Sequence, residues 1–314
     1  MITEKIIIGE NTKYPLKGLL TLPAGTTKPV PAVVFVHGSG ASNMDEKVGK
    51  LTPFKDLAEG LAKHGIASIR YDKRSFTHGF KLIREKEVTV KIETIEDAIL
   101  ATEILKKDSR IDKNDIFIIG HSMGAMLAPR IDAEGGKYRG LILMAGSPRR
   151  LEEIVMDQNA EVLRSVKGVT KWIVEKQIAK MTAMFDGLYQ LSDEEAKKKK
   201  FGGGTTLYYF KEMGEHPASD YLTATTKPVL IMQGEKDFQA TPEKDFEAYK
   251  RLLSDKNNVK FCLYENLNHA FVPSVYGNIM KAKQEYNVEQ HIGEEVIADI
   301  ANWILTVKES KELS

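Results

Sequence analysis

The chain has very little cysteine and no long hydrophobic run. Of its 314 residues only Cys262 is a cysteine, so no disulfide can form within the chain. It stands in an apolar stretch, where we expect a small buried side chain rather than a reactive thiol. No stretch approaches the ~18 apolar residues of a membrane span, and the N-terminus shows no secretory signal. These absences predict a cytoplasmic protein, with a leader that was removed beforehand as the one alternative.

The chain also lacks an excess of charge of either sign. Lys and Arg number 45 and Asp and Glu number 44, which gives a formal net charge of +1. Proteins that bind nucleic acids carry a strong basic patch, so we expect no nucleic-acid partner. The hydrophobic fraction of 42% is ordinary for a chain with a sizeable core. The oligomeric state is left open, and a homodimer is compatible with this composition.

Short apolar runs alternate with amphipathic helical patterns along most of the chain. Continuous rather than alternating hydrophobicity is typical of strands that are covered on both faces, as in a parallel sheet. Strands that alternate with helices imply right-handed crossovers. The sequence therefore predicts an α/β fold, with a mostly parallel central sheet flanked by helices. The predicted strands are residues 5–8, 16–22, 31–36, 66–71, 115–119, 140–144, 228–232 and 259–264, and the clearest helices are 53–63, 93–107, 242–253 and 293–307.

The alternation stops after residue 149 and resumes only near residue 227. The intervening part, 150–226, is largely helical in pattern and longer than a crossover requires. We predict a helical cap inserted between two parts of one core, 1–149 and 227–314. Six apolar cap residues either form a ceiling over the site or make up the cap's own core. They are Met181, Met184, Phe185, Leu188, Tyr208 and Tyr209.

Residues 120–124 read Gly-His-Ser-Met-Gly, between a predicted strand and a predicted helix. This is the context of a nucleophile elbow, in which a serine is held on a sharp strand-to-helix turn. The two glycines allow the turn and keep bulk away from the serine. The bare pattern also arises by chance, so Ser122 becomes a candidate nucleophile because of what flanks it.

An alkyl hydroxyl needs a base to act as a nucleophile, and the base needs an orienting acid. Asp237 follows the strand at 228–232, and His269 follows the last strand. In a parallel sheet both would lie with Ser122 at the carboxyl edge. Glu235 competes for the role of the acid, but it lies two residues nearer the strand, so we favour Asp237. None of the other histidines follows a core strand in the required order.

Acyl transfer also needs two backbone N–H groups that bind the developing oxyanion. Met123 is one candidate, because it follows the nucleophile at the positive end of a helix. The other should come from residues 37–40, which read His-Gly-Ser-Gly after a predicted strand. There we choose Ser39, with Gly40 as the alternative.

These segments together resemble the α/β-hydrolase superfamily. The resemblance is carried by residues 37–40, 71–74, 120–124, 233–237 and 268–269, which span most of the chain. It is strongest for the branch of dienelactone-hydrolase-like esterases, acyl-CoA thioesterase domains and prolyl-oligopeptidase-like domains. It implies hydrolysis of an ester or related acyl group, with nucleophile, acid and base as named above and with no metal or organic cofactor. Dienelactone hydrolase itself uses a cysteine nucleophile, so that activity is not expected.

The expected activity is that of a serine hydrolase that cleaves small-molecule carboxylic esters through an acyl-enzyme intermediate. An acyl-CoA thioesterase or acyltransferase is one alternative, for which the lysines at 197–200 could bind the nucleotide. A small peptidase of the prolyl-oligopeptidase type is another, although no propeller-forming sequence is present.

Asp72 and Arg74 either contact the substrate or tie neighbouring loops together.

Overall fold

A computed structural model of the chain describes residues 1–85, 87–202 and 204–310. Eight strands form one sheet, in the spatial order β1-β2-β4-β3-β5-β6-β9-β10. The first two strands run antiparallel to their neighbours, and the pairs from β4 to β10 are parallel. The predicted, mostly parallel sheet is confirmed. The strands of this sheet are β1 (Ile2–Ile8), β2 (Leu16–Leu22), β3 (Val30–Val36), β4 (Ala67–Tyr71), β5 (Ile111–His121), β6 (Leu141–Met144), β9 (Val229–Gly234) and β10 (Val259–Tyr264).

Helices cover both faces of the sheet. The first helix has the predicted bounds, because proline occupies its first turn and a left-handed glycine, Gly65, follows its end. Short π-helical turns precede the third and tenth helices. The helices are α1 (Pro53–Lys63), α2 (Arg74–Leu82), α3 (Glu96–Lys107), α4 (Met123–Ile131), α5 (Leu151–Ser165), α6 (Gly168–Phe185), α7 (Asp193–Lys198), α8 (Leu207–Glu215), α9 (Ala218–Ala224), α10 (Glu247–Leu252), α11 (Ala282–Tyr286) and α12 (Glu294–Glu309).

The central strands are buried on both faces. On β3, Val34 packs with α3 and α4 in one hydrophobic cluster, whereas the adjacent Val33 packs with α1 and α12 in the other. Successive side chains of a strand point to opposite faces, so both sets must be apolar here. This two-sided burial explains why the central strands read as continuous apolar runs.

The expectation that Cys262 is buried is wrong. It lies on β10, the last strand in the order of the sheet, and it is only half-buried. Lys260 and Leu263 of the same strand are exposed. An edge strand has a neighbour on one side only, so an apolar run there does not guarantee burial.

Residues 151–224, here called the helical segment, lie between β6 and β9 and contain α5 to α9. They also contain a small two-stranded sheet of β7 (Lys200–Gly202) and β8 (Thr205–Thr206), which the sequence did not predict. Much of the segment is exposed: α6 buries only Met181. The helical pattern was therefore predictable, but the way in which these helices pack was not.

Candidate active site

The predicted elbow is a sharp turn between β5 and α4. Ser122 has φ +54° and ψ −120°, a left-handed conformation that is strained for a residue with a side chain. A Cβ at Gly120 would lie 2.3 Å from the carbonyl oxygen of Gly124, and one at Gly124 would lie 2.1 Å from that of Val36. Both positions therefore require glycine. The turn holds the serine at the start of a helix, next to the loop that follows β3.

Asp237 and His269 meet at the carboxyl edge of the sheet. The distance from Nδ1 of His269 to Oδ2 of Asp237 is 2.7 Å, and both side chains are buried. The carboxylate also accepts bonds from the backbone N–H groups of Gln239 and Ala240, at 2.7 and 3.0 Å. The side-chain amide of Gln233 donates to it at 2.7 Å. These bonds hold the carboxylate in one orientation and leave Nε2 of the imidazole available for proton transfer.

Glu235, the alternative acid, lies elsewhere. Its carboxylate is near the backbone N–H of Asn266, at 3.4 Å, and 3.3 Å from Nζ of Lys236. Glu235 is exposed, and it makes no contact with His269 among the described residues. The structure therefore brings Asp237, and not Glu235, to the imidazole.

Ser122 and His269 border two neighbouring cavities. The central cavity, of about 150 Å³, also has Ser39 and Met123 in its walls. The polar cavity, of about 280 Å³, shares Ser39, Ser122 and His269 and adds Glu46. Both cavities are therefore lined by the candidate nucleophile and the candidate base.

The two predicted oxyanion donors, Ser39 and Met123, lie together at the central cavity. Among the described residues, neither backbone N–H donates to a protein acceptor, so both can serve a bound ligand. The N–H of Gly38 is already used, since it donates to Oε1 of Glu46 at 2.8 Å. Gly40, the alternative to Ser39, has φ +82° and does not line the central cavity.

A third and larger cavity, of about 490 Å³, adjoins the central one. It shares Ser39, Met123, Leu151 and Val155 with the central cavity. Its other walls come mainly from α2, the loop after it and the helical segment. We call it the apolar cavity, after the side chains of Leu82, Ile83, Val88, Phe201 and Phe210.

A buried ion pair connects the loop after β3 to the loop that carries His269. Nδ1 of His121 lies 3.0 Å from Oε2 of Glu46, and Nε2 of His121 lies 2.9 Å from the backbone oxygen of His269. Both ring nitrogens thus face acceptors, which favours the doubly protonated imidazolium. The Glu46 carboxylate also accepts the bond from Gly38, so it ties the start of its own loop to His121, and His121 reaches the loop of His269.

The electrostatics agree with a charged pair at this position. Burial alone would lower the pKa of His121, but the charge of Glu46 and the hydrogen bonds outweigh it and raise this pKa above its usual value. Burial alone would raise the pKa of Glu46, but His121 outweighs it and the net pKa is lowered. The sequence analysis missed this pair, because no spacing rule connects a glutamate in one loop with the second residue of the elbow motif.

Lys73 is a second residue that the sequence analysis missed. Its buried ammonium donates to the backbone oxygen of Gly38 at 2.8 Å and lies 3.6 Å from Glu93. The other oxygen of Glu93 accepts a bond from the hydroxyl of Tyr209 at 2.7 Å. Lys73 and Glu93 thus connect the loop after β3 with the helical segment.

Asp72 and Arg74, on either side of Lys73, form structural ties. Asp72 accepts a bond from the backbone N–H of Met44 at 2.8 Å. Arg74 pairs with the buried Asp97 at 2.5 Å and with Glu96 at 3.0 Å. Neither residue lines any of the three cavities. Of the two roles considered for them, a tie between neighbouring parts of the chain therefore fits both, and contact with a substrate does not.

Of the six apolar residues predicted in the cap, only Tyr209 lines a cavity of the site. The others pack within the protein instead: Leu188 is fully buried in the core, and Phe185 stacks near Phe201 at 5.3 Å. The residues of the helical segment that line the central cavity all belong to α5. They are Leu151, Ile154, Val155 and Gln158.

Within residues 1–85, 87–202 and 204–310, no three His, Cys, Asp or Glu side chains are grouped so that they could hold a metal ion. In the same ranges, no helix combines the length and apolar character needed to cross a membrane.

Comparison with known families gives this geometry a context. Residues 27–273 match the family described as serine aminopeptidase, S33. The chain belongs to this family. Its match spans most of the chain, from before β3 to the loop that contains His269. The prediction of an α/β-hydrolase-superfamily enzyme is thereby confirmed.

Individual relatives of this S33-family chain carry both esterase and peptidase names. Esterase EstD of Thermotoga maritima is 36% identical over 290 residues, which are 92% of this chain but only 65% of that protein's length. Among solved structures, Est1E from Butyrivibrio proteoclasticus has a TM-score of 0.58 at 16% identity, with 97% of this chain and 99% of that one covered. Proline iminopeptidase of Mycobacterium smegmatis has a TM-score of 0.59 at 14% identity, with 99% and 100% covered. At such identities the structures confirm the α/β-hydrolase fold alone.

Proposed function

We propose that this S33-family chain is a serine carboxylesterase that acts on small-molecule esters. The observation that carries the proposal is the 2.7 Å contact between Asp237 and His269, next to a strained serine that borders the same cavities as the imidazole. This arrangement supplies a nucleophile, a base and an orienting acid in one place. The relative named as an esterase, at 36% identity, supports an ester as the substrate.

In the first half of the reaction, Oγ of Ser122 attacks the ester carbonyl carbon while Nε2 of His269 takes the hydroxyl proton. The N–H groups of Ser39 and Met123 stabilise the resulting oxyanion. The bond to the alkoxy oxygen then breaks, and this oxygen leaves with the electron pair and receives the proton from His269. Asp237 keeps the imidazole in the correct tautomer and stabilises its charged form. The products are an alcohol and an acyl group on Ser122.

In the second half, water replaces the alcohol. His269 takes a proton from the water, which attacks the acyl carbon and forms a second oxyanion at the same N–H groups. When this intermediate collapses, the acid leaves and His269 returns a proton to Ser122. The cycle thus uses the three side chains, the two backbone N–H groups and water.

The helical segment serves in this proposal as the cap predicted for residues 150–226. Its α5 lines the central cavity through Leu151, Ile154 and Val155, so it limits the space beside the nucleophile. The two remaining parts, 1–149 and 227–314, together supply every proposed catalytic residue. The predicted cytoplasmic location and homodimer stay predictions.

The alternatives have less support. Lys197, in the lysine run considered for a nucleotide, is engaged with Glu87 at 3.0 Å and Glu194 at 2.9 Å. A peptidase would use the same triad, and the family description and the iminopeptidase structure make it the second candidate. No observation at the site favours an amide over an ester.

A substrate panel tests the proposal. We expect the purified chain to hydrolyse p-nitrophenyl acetate faster than acetyl-CoA or aminoacyl p-nitroanilides at equal concentration. Replacement of the nucleophile in Ser122→Ala should reduce kcat by about 10⁶-fold with an unchanged circular dichroism spectrum. Undiminished ester hydrolysis by this variant, or faster cleavage of the anilides, would contradict the proposal.

A further inference from the structure

We infer that the apolar cavity is the acyl site and that it takes an extended apolar acyl group of medium length, such as octanoyl. The inference rests on the proposed esterase function and adds the class of acid that the substrate contains. It follows from where the cavity joins the site, what lines it, and which side the leaving group must occupy.

The apolar cavity adjoins the oxyanion side of the site. Ser39 and Met123, the proposed oxyanion donors, line both it and the central cavity. Leu151 and Val155 of α5 also line both. A chain attached to a carbonyl carbon at Ser122 can therefore continue along shared walls from the central cavity into the apolar one.

The leaving group must lie on the other side. His269 has to reach the alkoxy oxygen in order to protonate it, so the alcohol lies beside the imidazole. His269 and Ser122 line the polar cavity but are not among the walls of the apolar cavity. With the alcohol next to His269 and the oxyanion on Ser39 and Met123, the direction left for the acyl chain is toward the apolar cavity.

The walls suit hydrocarbon. At about 490 Å³ the cavity lies within the usual range of small-molecule sites. Among the described residues that line it, the one carboxylate is Glu93, which already accepts a hydrogen bond from Tyr209 and is paired with Lys73. Each methylene buried against such walls should increase kcat/KM roughly fourfold. An acetyl group would not reach them.

Gly79 lines the apolar cavity, so a larger side chain at this position can occupy part of its volume. Ser75 and Gly79 of α2 and Ile83, directly after its end, all line the cavity. A Cβ at Gly79 would meet no heavy atom within 4 Å, and this glycine does not have a left-handed φ. Gly79→Leu should therefore fold and occupy the space. Thr77→Leu, at an exposed position of the same helix, is the matched control.

The test compares p-nitrophenyl acetate with p-nitrophenyl octanoate. We expect kcat/KM of the unmodified chain to be at least about tenfold higher for octanoate. Gly79→Leu should lose about tenfold or more on octanoate and less than about twofold on acetate. Thr77→Leu should behave like the unmodified chain. A preference for acetate in the unmodified chain, or equal losses on both esters in Gly79→Leu, would overturn the inference while leaving the esterase function intact.

A binding measurement separates the two proposals. Titration calorimetry with sodium octanoate needs no turnover, so it tests the cavity even if no ester is cleaved. We expect octanoate to bind the unmodified chain and Thr77→Leu equally, and Gly79→Leu at least about tenfold more weakly. Octanoate that binds Gly79→Leu as well as the unmodified chain would overturn the acyl site. Absence of ester turnover with this binding pattern preserved would overturn only the proposed esterase.

Discussion

The carboxyl edge of the sheet and the helical segment meet at the same cavities, but they are built differently. At the edge, the buried Asp237 carboxylate accepts four hydrogen bonds, from Gln233, Gln239, Ala240 and His269. In the helical segment, α6 buries a single residue and the contribution to the cavities is mostly apolar. Directional bonds tolerate little displacement, whereas apolar walls can change size at modest cost. The edge is therefore suited to set the reaction and the segment to set the substrate.

After loss of the nucleophile itself, the largest effect should follow from a change in the acid at the edge. Asp237→Asn keeps the shape but allows the imidazole to take the wrong tautomer, so we expect kcat for p-nitrophenyl acetate to fall about 10⁴-fold. Glu235→Gln is the matched control, because this carboxylate is exposed and two residues away. Its kcat should stay within about twofold of the unmodified chain. A comparable loss in both variants would contradict the assignment of Asp237 as the acid.

The Glu46–His121 pair should contribute to stability rather than to bond cleavage itself. Glu46→Gln leaves a buried imidazolium without its partner, and we expect the free energy of unfolding at pH 7 to fall by about 3 kcal/mol. The pKa of Glu46 is lower in the folded protein than in the unfolded chain. Its contribution to the free energy of unfolding is therefore present above the ordinary glutamate pKa and is lost as the pH falls through the folded-state pKa. Urea unfolding at pH 7 and pH 4 measures the difference. A variant that is equally destabilised at both would argue against a charge effect.

His37 should make the edge sensitive to acid. Burial lowers its pKa to about 4, from an ordinary value of 6.5. The unfolded chain therefore binds a proton that the folded chain does not, and stability is lost as pH falls from 6.5 toward 4. Between pH 6.5 and pH 5 the loss from this residue should be about 2 kcal/mol. His37→Gln removes the titration, so its unfolding free energy should fall less over this interval; an equal fall in both proteins would assign the acid sensitivity to other groups.

The smallest effect is expected on the outer face of the helical segment. Trp172 of α6 is exposed, and its ring lies 3.8 Å from Nζ of Lys176. Trp172→Ser removes this contact and little else, so the unfolding free energy should change by less than about 1 kcal/mol. The kcat/KM for p-nitrophenyl octanoate should not change. A large loss of stability or of kcat/KM would show that the outer face of α6 supports the site, contrary to its exposure.

The edge could be predicted from sequence because its signals are local. A buried strand, a glycine pair that only a tight turn requires, and polar residues directly after strands occur within a few positions of one another. Parallel strands then bring Ser122, Asp237 and His269 to one edge without further information. The bounds of α1, β2 and β10 were also predicted, since proline, glycine or a change of polarity marks their ends.

The walls of the cavities could not be predicted in this way. Phe185 and Phe210 are both aromatic residues in helical patterns, yet only Phe210 lines a cavity. Which one does so depends on how α6 and α8 pack, and tertiary packing leaves no local signal. The Glu46–His121 pair was missed for the same reason, because it joins a loop residue to the end of β5, far apart in the sequence.

Covalent labelling of the nucleophile tests the central claim most directly. A fluorophosphonate reacts with an activated serine hydroxyl, and digestion followed by mass spectrometry identifies the modified residue. We expect one phosphonylated peptide, with the adduct on Ser122, its formation slowed strongly in Asp237→Asn and absent in Ser122→Ala. An unlabelled Ser122, or a label on another serine that persists in Ser122→Ala, would contradict the account.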